Sequence, residues 1–298
     1  MPEELQQAIV IANFGHEILI QDIAGQERRA TTRTKLPALV SGDRVMWRET
    51  PQHDAVIESL TPRTSLLTRA KANLESKPIV SNIDAVLITC TKKPAYRLGL
   101  IDRYLAACEL ANITPYIVFN KLDLINDNKL RIIKTELAEY EKIGYPVFYV
   151  SAKQTLGLDT LKSVLDEKNL VLVGQSGVGK SSLIKTLVPH ANPKVASVSE
   201  ATQKGRHTTT HSTLYMLDKQ HYIIDSPGIR EFGLSPVEPH VLAQCFVEFT
   251  PYLGQCRFRD CTHHSEPGCA VINAVQQNEI SERRWQSYHA IIASFNAH

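Results

Sequence analysis

The chain has 298 residues, 43% hydrophobic and 21% charged, with a net charge of +2. That length exceeds one small core and predicts two or three domains, in the composition range of ordinary globular proteins. The small net charge leaves nucleic-acid contact to local patches, no apolar run reaches the roughly 20 residues of a membrane span, and MPEELQQAIV lacks the basic start and apolar stretch of a secretory signal, so a cytoplasmic protein without membrane contact is expected.

Residues 1–70 read as short strands. AIVIANF, HEILIQD and DRVMWRE run apolar or alternate, with Gly15, Gly25 and Gly42-Asp43 as turn residues between them, and several strands in so small a space predict a compact β-barrel. Thr61-Pro62-Arg63-Thr64 opens a polar stretch suited to a linker. Over 71–233 strands and helices alternate. IDAVLIT, PYIVFN, PVFYVS, LVLVG, TLYML and YIIDS read as strands, and IDRYLAACELA, NKLRIIKTELAEYEKI and SLIKTLV as helices. This alternation predicts a parallel sheet covered by helices. Leu130, Ile133, Leu137 and Tyr140 define one helix face. Residues 234–298 turn helical, and Ile280, Arg284, Tyr288, Ile291 and Phe295 recur at three- or four-residue spacing in a last amphipathic helix.

Gly174-Gln175-Ser176-Gly177-Val178-Gly179-Lys180-Ser181 fits G-x-x-x-x-G-K-S between the strand LVLV and a helix continuing through Ser182. Glycines let successive amides turn inward onto phosphate oxygens, and the helix N-terminus adds positive potential. Lys180 suits the β and γ phosphates, and the Ser181 hydroxyl suits Mg²⁺. Asp225-Ser226-Pro227-Gly228 ends the strand YIID; its carboxylate suits a Mg²⁺-bound water and the Gly228 amide the γ-phosphate. Between them lies Gly205-Arg206-His207-Thr208-Thr209-Thr210. A threonine there completes Mg²⁺ coordination in the triphosphate state; Thr209 is preferred over Thr210, with Thr208 also open.

Asn120-Lys121-Leu122-Asp123 follows the strand YIVF, and Ser151-Ala152-Lys153 follows FYV. A carboxylate at Asp123 accepts two hydrogen bonds from a guanine edge, where adenine has no matching donors. Asn120 ties this loop to the phosphate loop, the Lys121 stem packs on the base, and the Ala152 amide donates to the guanine carbonyl oxygen. The set points to GTP and GDP with Mg²⁺. The guanine-reading half precedes the phosphate-binding half, so the domain reads as circularly permuted.

Cys90, Cys108 and Cys245 sit in apolar segments and read as core thiols. Cys256, Cys261 and Cys269 cluster beside His263 and His264, a pattern for metal rather than disulfides in a reducing compartment.

In these motifs, their order, Gly42-Asp43-Arg44-Val45, the 205–210 run, the continuation Ile229-Arg230-Glu231-Phe232 and the C-terminal cluster, the chain resembles the circularly permuted ribosome-small-subunit-dependent GTPase family over essentially its whole length. The resemblance implies an N-terminal OB-fold (1–70), a central permuted P-loop GTPase domain (71–233) and a mostly helical zinc domain (234–298). It further implies slow GTP hydrolysis stimulated by the small ribosomal subunit and a role in late maturation of that subunit. Its pattern selects Cys256, Cys261, His263 and Cys269 as the closed shell of one structural Zn²⁺, with His264 as the fallback ligand.

Arg257, Arg259 and His264 beside the cluster, Arg283, Arg284 and Trp285 on the last helix, and Arg28, Arg29, Arg33 and Lys35 on the barrel are expected to face 16S rRNA, with aromatics stacking on bases. Where a Ras-like enzyme carries a water-orienting glutamine, this chain has Ile229, so intrinsic turnover is expected to be slow. His207 is the candidate for positioning water, beside Lys180 and Thr209 as catalytic residues. Gly177 stands where some glutamine-less GTPases place a K⁺-binding asparagine. The segment after Gly228 enters the C-terminal domain directly, so a shift at Gly228 is expected to pull on that domain. Two alternatives stay open, an RNA-binding assembly factor with GTP as a structural ligand and a GTPase acting on tRNA. Nothing resembles a coiled-coil seam, and a monomer is expected.

Overall fold

A computed structural model describes residues 5–15, 17–32, 35–50, 53–70, 76–189, 213–218, 220–225 and 234–296. The N-terminal strands β1 (Gln6–Asn13), β2 (Ile18–Asp22), β3 (Glu27–Thr32), β4 (Arg44–Thr50) and β5 (His53–Leu60) close into a barrel in the order β1-β2-β3-β5-β4. Alternation decides which side chains fill it: in β4, Val45 and Trp47 are buried while Arg44 is exposed. Val10, Ile20 and Ile57 complete a core cluster with them, and a bulge between Val10 and Ala12 bends β1 around it. β3 has no counterpart in the sequence reading, because ERRATT buries only Ala30.

The stretch from Thr61 is a fixed joint rather than a free linker. Arg63 forms a two-pronged pair with Asp43, Nε to Oδ1 at 2.7 Å and Nη2 to Oδ2 at 2.8 Å. Ser81 Oγ donates to Asp43 Oδ1 at 2.6 Å and Asn82 Nδ2 to the Gly42 carbonyl at 2.8 Å. Gly42 has φ +93°, and a Cβ there would lie 2.2 Å from the Ser81 carbonyl oxygen, so only glycine allows this approach. Ser81 ends a two-stranded ribbon of β6 (Leu66–Ala70) and β7 (Ser76–Ser81), short strands that the hydrophobic pattern did not reveal.

The central sheet runs β10-β9-β8-β11-β13-β12, formed by β8 (Ala85–Cys90), β9 (Thr114–Phe119), β10 (Val147–Tyr149), β11 (Leu170–Val173), β12 (Thr213–Met216) and β13 (Tyr222–Asp225). All pairings are parallel except β12 with β13. Both faces are covered. Val86, Ile88 and Cys90 of β8 pack in one cluster with α1 (Leu98–Leu110) and α2 (Asp127–Lys142), while Ala85 and Leu87 pack in another with α3 (Leu158–Leu165) and α4 (Lys180–Leu187). Burial on both sides explains the uninterrupted apolar runs in the sequence.

The C-terminal part comprises α5 (Pro239–Gln244), a 3-10 helix (Val247–Tyr252), α6 (Ala270–Gln276) and α7 (Glu282–Asn296). Its core residues Phe246, Phe249, Tyr288 and Ile291 belong to the same cluster as α1 and α2. The structure corrects the expectation that Arg283 and Arg284 face RNA. Arg284 is 1% exposed; its Nη1 donates to Asp102 Oδ1 at 2.8 Å and its Nε to Glu248 Oε1 at 2.6 Å. Arg283 Nη1 donates to Asp102 Oδ2 at 2.6 Å and Nε to Glu139 at 2.7 Å, and the Tyr140 hydroxyl donates to Asp102 Oδ1 at 2.8 Å. These arginines satisfy a wholly buried carboxylate on α1 and fix α7 to the central domain. On the barrel, Arg28 pairs with Asp22 and Arg29 with Glu17, both at 3.1 Å; Arg33 lies outside the described residues.

Candidate functional site

The parallel strands bring the C-terminal ends of β8, β9, β10, β11 and β13 to one edge of the sheet, where α/β folds bind ligands. The loop after β11 carries 174–179, and α4 starts at Lys180. Gly179 has φ +96°, and a Cβ there would meet Asn120 Nδ2 at 2.5 Å. Lys180 Nζ donates to the carbonyls of Gly174 at 2.8 Å and Gln175 at 3.0 Å, which holds the ammonium in the mouth of the loop. Ser176, Gly177 and Ser182 are exposed and Val178 is buried.

Asn120 joins the two halves. It is 1% exposed; its Nδ2 donates to the Val178 carbonyl at 3.1 Å and its Oδ1 accepts from the Ala152 amide at 3.2 Å. The Ala152 amide, expected to face guanine, is thus engaged by Asn120. Lys121 adopts a left-handed backbone with φ 67°, and its Nζ donates to the Gly177 carbonyl and, at 3.4 Å, to the Lys93 carbonyl. Asp123 Oδ1 accepts from Ser151 Oγ at 2.6 Å, and Lys153 is exposed. The sequence reading missed Thr186, whose hydroxyl reaches the Ala152 carbonyl at 3.2 Å and the Ser182 carbonyl at 2.9 Å; a helical threonine carries no signal of that role.

Ser181 Oγ donates to Asp225 Oδ2 at 2.8 Å, so two of the three residues expected at Mg²⁺ meet. Asp225 Oδ1 is buried and has no hydrogen-bond partner among the described residues. A hydroxyl beside an unpaired buried carboxylate oxygen is a hard-oxygen donor set that fits Mg²⁺. His207, Thr208, Thr209, Thr210, Gly228 and Ile229 lie outside the described residues.

In the C-terminal part, Cys256, Cys261, His263 and Cys269 place their ligand atoms within 4.8 Å of one another. Cys256 Sγ lies 3.8 Å from Cys269 Sγ and 3.6 Å from His263 Nδ1, and Nδ1 lies 3.4 Å from Cys269 Sγ. Metal–sulfur bonds near 2.3 Å and metal–nitrogen bonds near 2.0 Å in a tetrahedron give edges of about 3.8 Å between sulfurs and about 3.5 Å between sulfur and nitrogen. The donor set fits a closed Zn²⁺ shell. His263, not His264, belongs to it, since its ring nitrogen lies among the three sulfurs; its backbone is left-handed (φ 61°), and its carbonyl accepts from Trp285 Nε1 at 2.8 Å. Burial lowers the His263 pKa, favouring the neutral ring that ligates metal. The adjoining turn is pinned by Glu266. Burial raises this carboxyl, but hydrogen bonds from the Thr262 hydroxyl and from the Thr262 and Ser265 amides outweigh it and bring it to about 2.

A phosphate loop at the centre of the sheet edge, bound through Asn120 to two guanine-type loops that precede it in the chain, defines a circularly permuted P-loop GTPase. The sequence profile of the RsgA GTPase family matches residues 60–235, and the chain belongs to that family. Small ribosomal subunit biogenesis GTPase RsgA 1 of Vibrio vulnificus is 42% identical over 294 residues, spanning 97% of this chain and 84% of that protein. Small ribosomal subunit biogenesis GTPase RsgA of Chromohalobacter salexigens is 46% identical over 295 residues, spanning 98% and 86%. The crystal structure of YjeQ from Thermotoga maritima aligns with a TM-score of 0.78 at 30% identity, over 99% of this chain and 100% of that one. YloQ, described as a circularly permuted GTPase, shares the fold with a TM-score of 0.74 at 24% identity, over 99% of this chain and 96% of that one.

Proposed function

We propose that the protein is a GTP hydrolase that assists late maturation of the small (30S) ribosomal subunit, binds that subunit and its 16S rRNA in the GTP state, and leaves after subunit-stimulated hydrolysis. The observation that carries the reading is Asn120, which locks a guanine-selecting loop onto a phosphate loop. Membership of a family whose relatives are named for small-subunit biogenesis supplies the partner.

In this reading Asp123 reads the guanine edge, Lys121 covers the base, and Ser151, Ala152 and Lys153 wall its far side. The 174–179 amides with Lys180, Ser181 and Ser182 hold the phosphates. Water attacks the γ-phosphorus, the bond to the bridging oxygen breaks, and Lys180 stabilises the charge that develops there. Ser181, Asp225 and Thr209 would hold Mg²⁺, which would supply charge neutralisation at the phosphates. His207 positions the water, Gly228 contacts the γ-phosphate, and Thr210 belongs to the nucleotide site as the alternative to Thr209. Cys256, Cys261, His263 and Cys269 would hold one Zn²⁺, which would stabilise the C-terminal domain. The domains divide near residues 70 and 233, and the protein works as a cytoplasmic monomer.

Nucleotide control is tested by co-sedimentation with purified small subunits. A non-hydrolysable GTP analogue is expected to give tighter binding than GDP. Equal affinity in the two states contradicts the proposal, since a ligand that favours neither state shifts no equilibrium.

A further inference from the structure

The structure divides the arginines near the metal centre into two groups. Arg283 and Arg284 are committed to Asp102, Glu139 and Glu248. Arg257 and Arg259 lie in the loop between Cys256 and Cys261, are exposed, and form no ion pair among the described residues. Between them Phe258 is 42% exposed, with the Arg257 guanidinium 5.6 Å from its ring centroid. The loop is held at both ends by cysteines of the metal cluster, and the Arg257 amide donates to the Gly268 carbonyl at 3.1 Å.

Two cations without carboxylate partners flank an aromatic face on a base closed by a metal shell. A half-open aromatic ring between two cations suits a partner that offers both a flat face and negative charge. The nearby charges fit a polyanion. Unpaired RNA bases supply the face and the phosphate backbone supplies the charge. We propose that this loop is a single-stranded RNA contact: Phe258 stacks on an unpaired base of the small-subunit RNA, while Arg257 and Arg259 contact the phosphates on either side. The proposal rests on the subunit partnership above and adds the residues and the form of RNA.

The test measures affinity for purified small subunits across a series of KCl concentrations, for the wild type, Arg257→Ala/Arg259→Ala, Phe258→Ala and Phe258→Leu. Zinc content by metal analysis shows that each variant keeps its fold. Removing two phosphate contacts on a single strand should flatten the slope of log affinity against log salt by about 1.4. Phe258→Ala and Phe258→Leu should each weaken binding roughly tenfold with the slope unchanged, as loss of one stacked base does. A photoreactive phenylalanine analogue at position 258 should crosslink to RNA. Wild-type affinity and slope in the variants, full affinity in Phe258→Leu, or crosslinks to a ribosomal protein instead of RNA would each overturn the proposal. Absence of wild-type binding would instead overturn the subunit partnership itself, so the two failures are distinguishable.

Discussion

Asn120 occupies a position that only a primary amide fills well. It donates to the phosphate loop and accepts from the loop after β10; a carboxylate would lose the first of these bonds and an apolar side chain both. Asp123 lies in the same loop and is held from one side by Ser151, leaving its remaining acceptor capacity for a base. Replacing Asp123 by asparagine reverses part of that edge. Asp123→Asn should weaken GDP binding by about 3 kcal/mol, on the order of 100-fold, and move the preference to xanthine nucleotides; calorimetry showing retained guanine preference would contradict the base-reading role. Ser181→Ala removes the hydroxyl that meets Asp225. Turnover measured against Mg²⁺ concentration should fall and need more Mg²⁺, and an unchanged Mg²⁺ dependence would remove Ser181 from the metal site.

At the scale of elements, α7 shows what periodicity reveals and what it hides. Of the positions that recur at helical spacing, Ile280, Tyr288 and Ile291 are buried as apolar residues of a core-facing stripe and Phe295 is half-buried; Arg284, at the same spacing, is buried as well. The same spacing did not say that Arg284 belongs inside, because its partners Asp102 and Glu248 are distant in sequence and nothing local marks them as acceptors. Arg284→Ala would leave two buried carboxylates short of a partner and should cost about 3–5 kcal/mol, read as a lower urea midpoint; a loss below about 1 kcal/mol would contradict the packing role. The cluster also predicts an acid response. Burial raises the Asp102 carboxyl, but Arg284 and Arg283 outweigh it and hold the group below its ordinary value of 3.8. Its contribution to stability is therefore full above that ordinary value and is lost as pH falls through the lower folded-state value. Urea midpoints should drop below pH 4, and Asp102→Asn should flatten that drop; an equally steep drop in the variant would exclude the group.

At the scale of the molecule, the order of motifs was the most legible feature, because each motif is a short run whose chemistry needs no distant partner. The nucleotide loops and the Cys/His cluster could be read for the same reason. The joints could not. Asp43 pairs with Arg63 and Ser81, and the Tyr222 hydroxyl at the start of β13 donates to the Asn82 carbonyl at 2.9 Å, so the barrel is keyed to the GTPase sheet by polar contacts across long sequence separations. With α7 fixed to α1 and α2 at the other side, the barrel and the metal module ride on the central domain. Spin-label distances between these two modules should be the same with GDP as with a non-hydrolysable GTP analogue, whereas a shifted distribution would favour the pull through the segment after Gly228 that the chain order suggests.

The most direct test of the whole account is steady-state hydrolysis titrated with purified small ribosomal subunits. GTP should be turned over slowly by the protein alone and faster as subunits are added, with ATP untouched throughout. Turnover of GTP that subunits leave unchanged, or equal turnover of ATP, would contradict it.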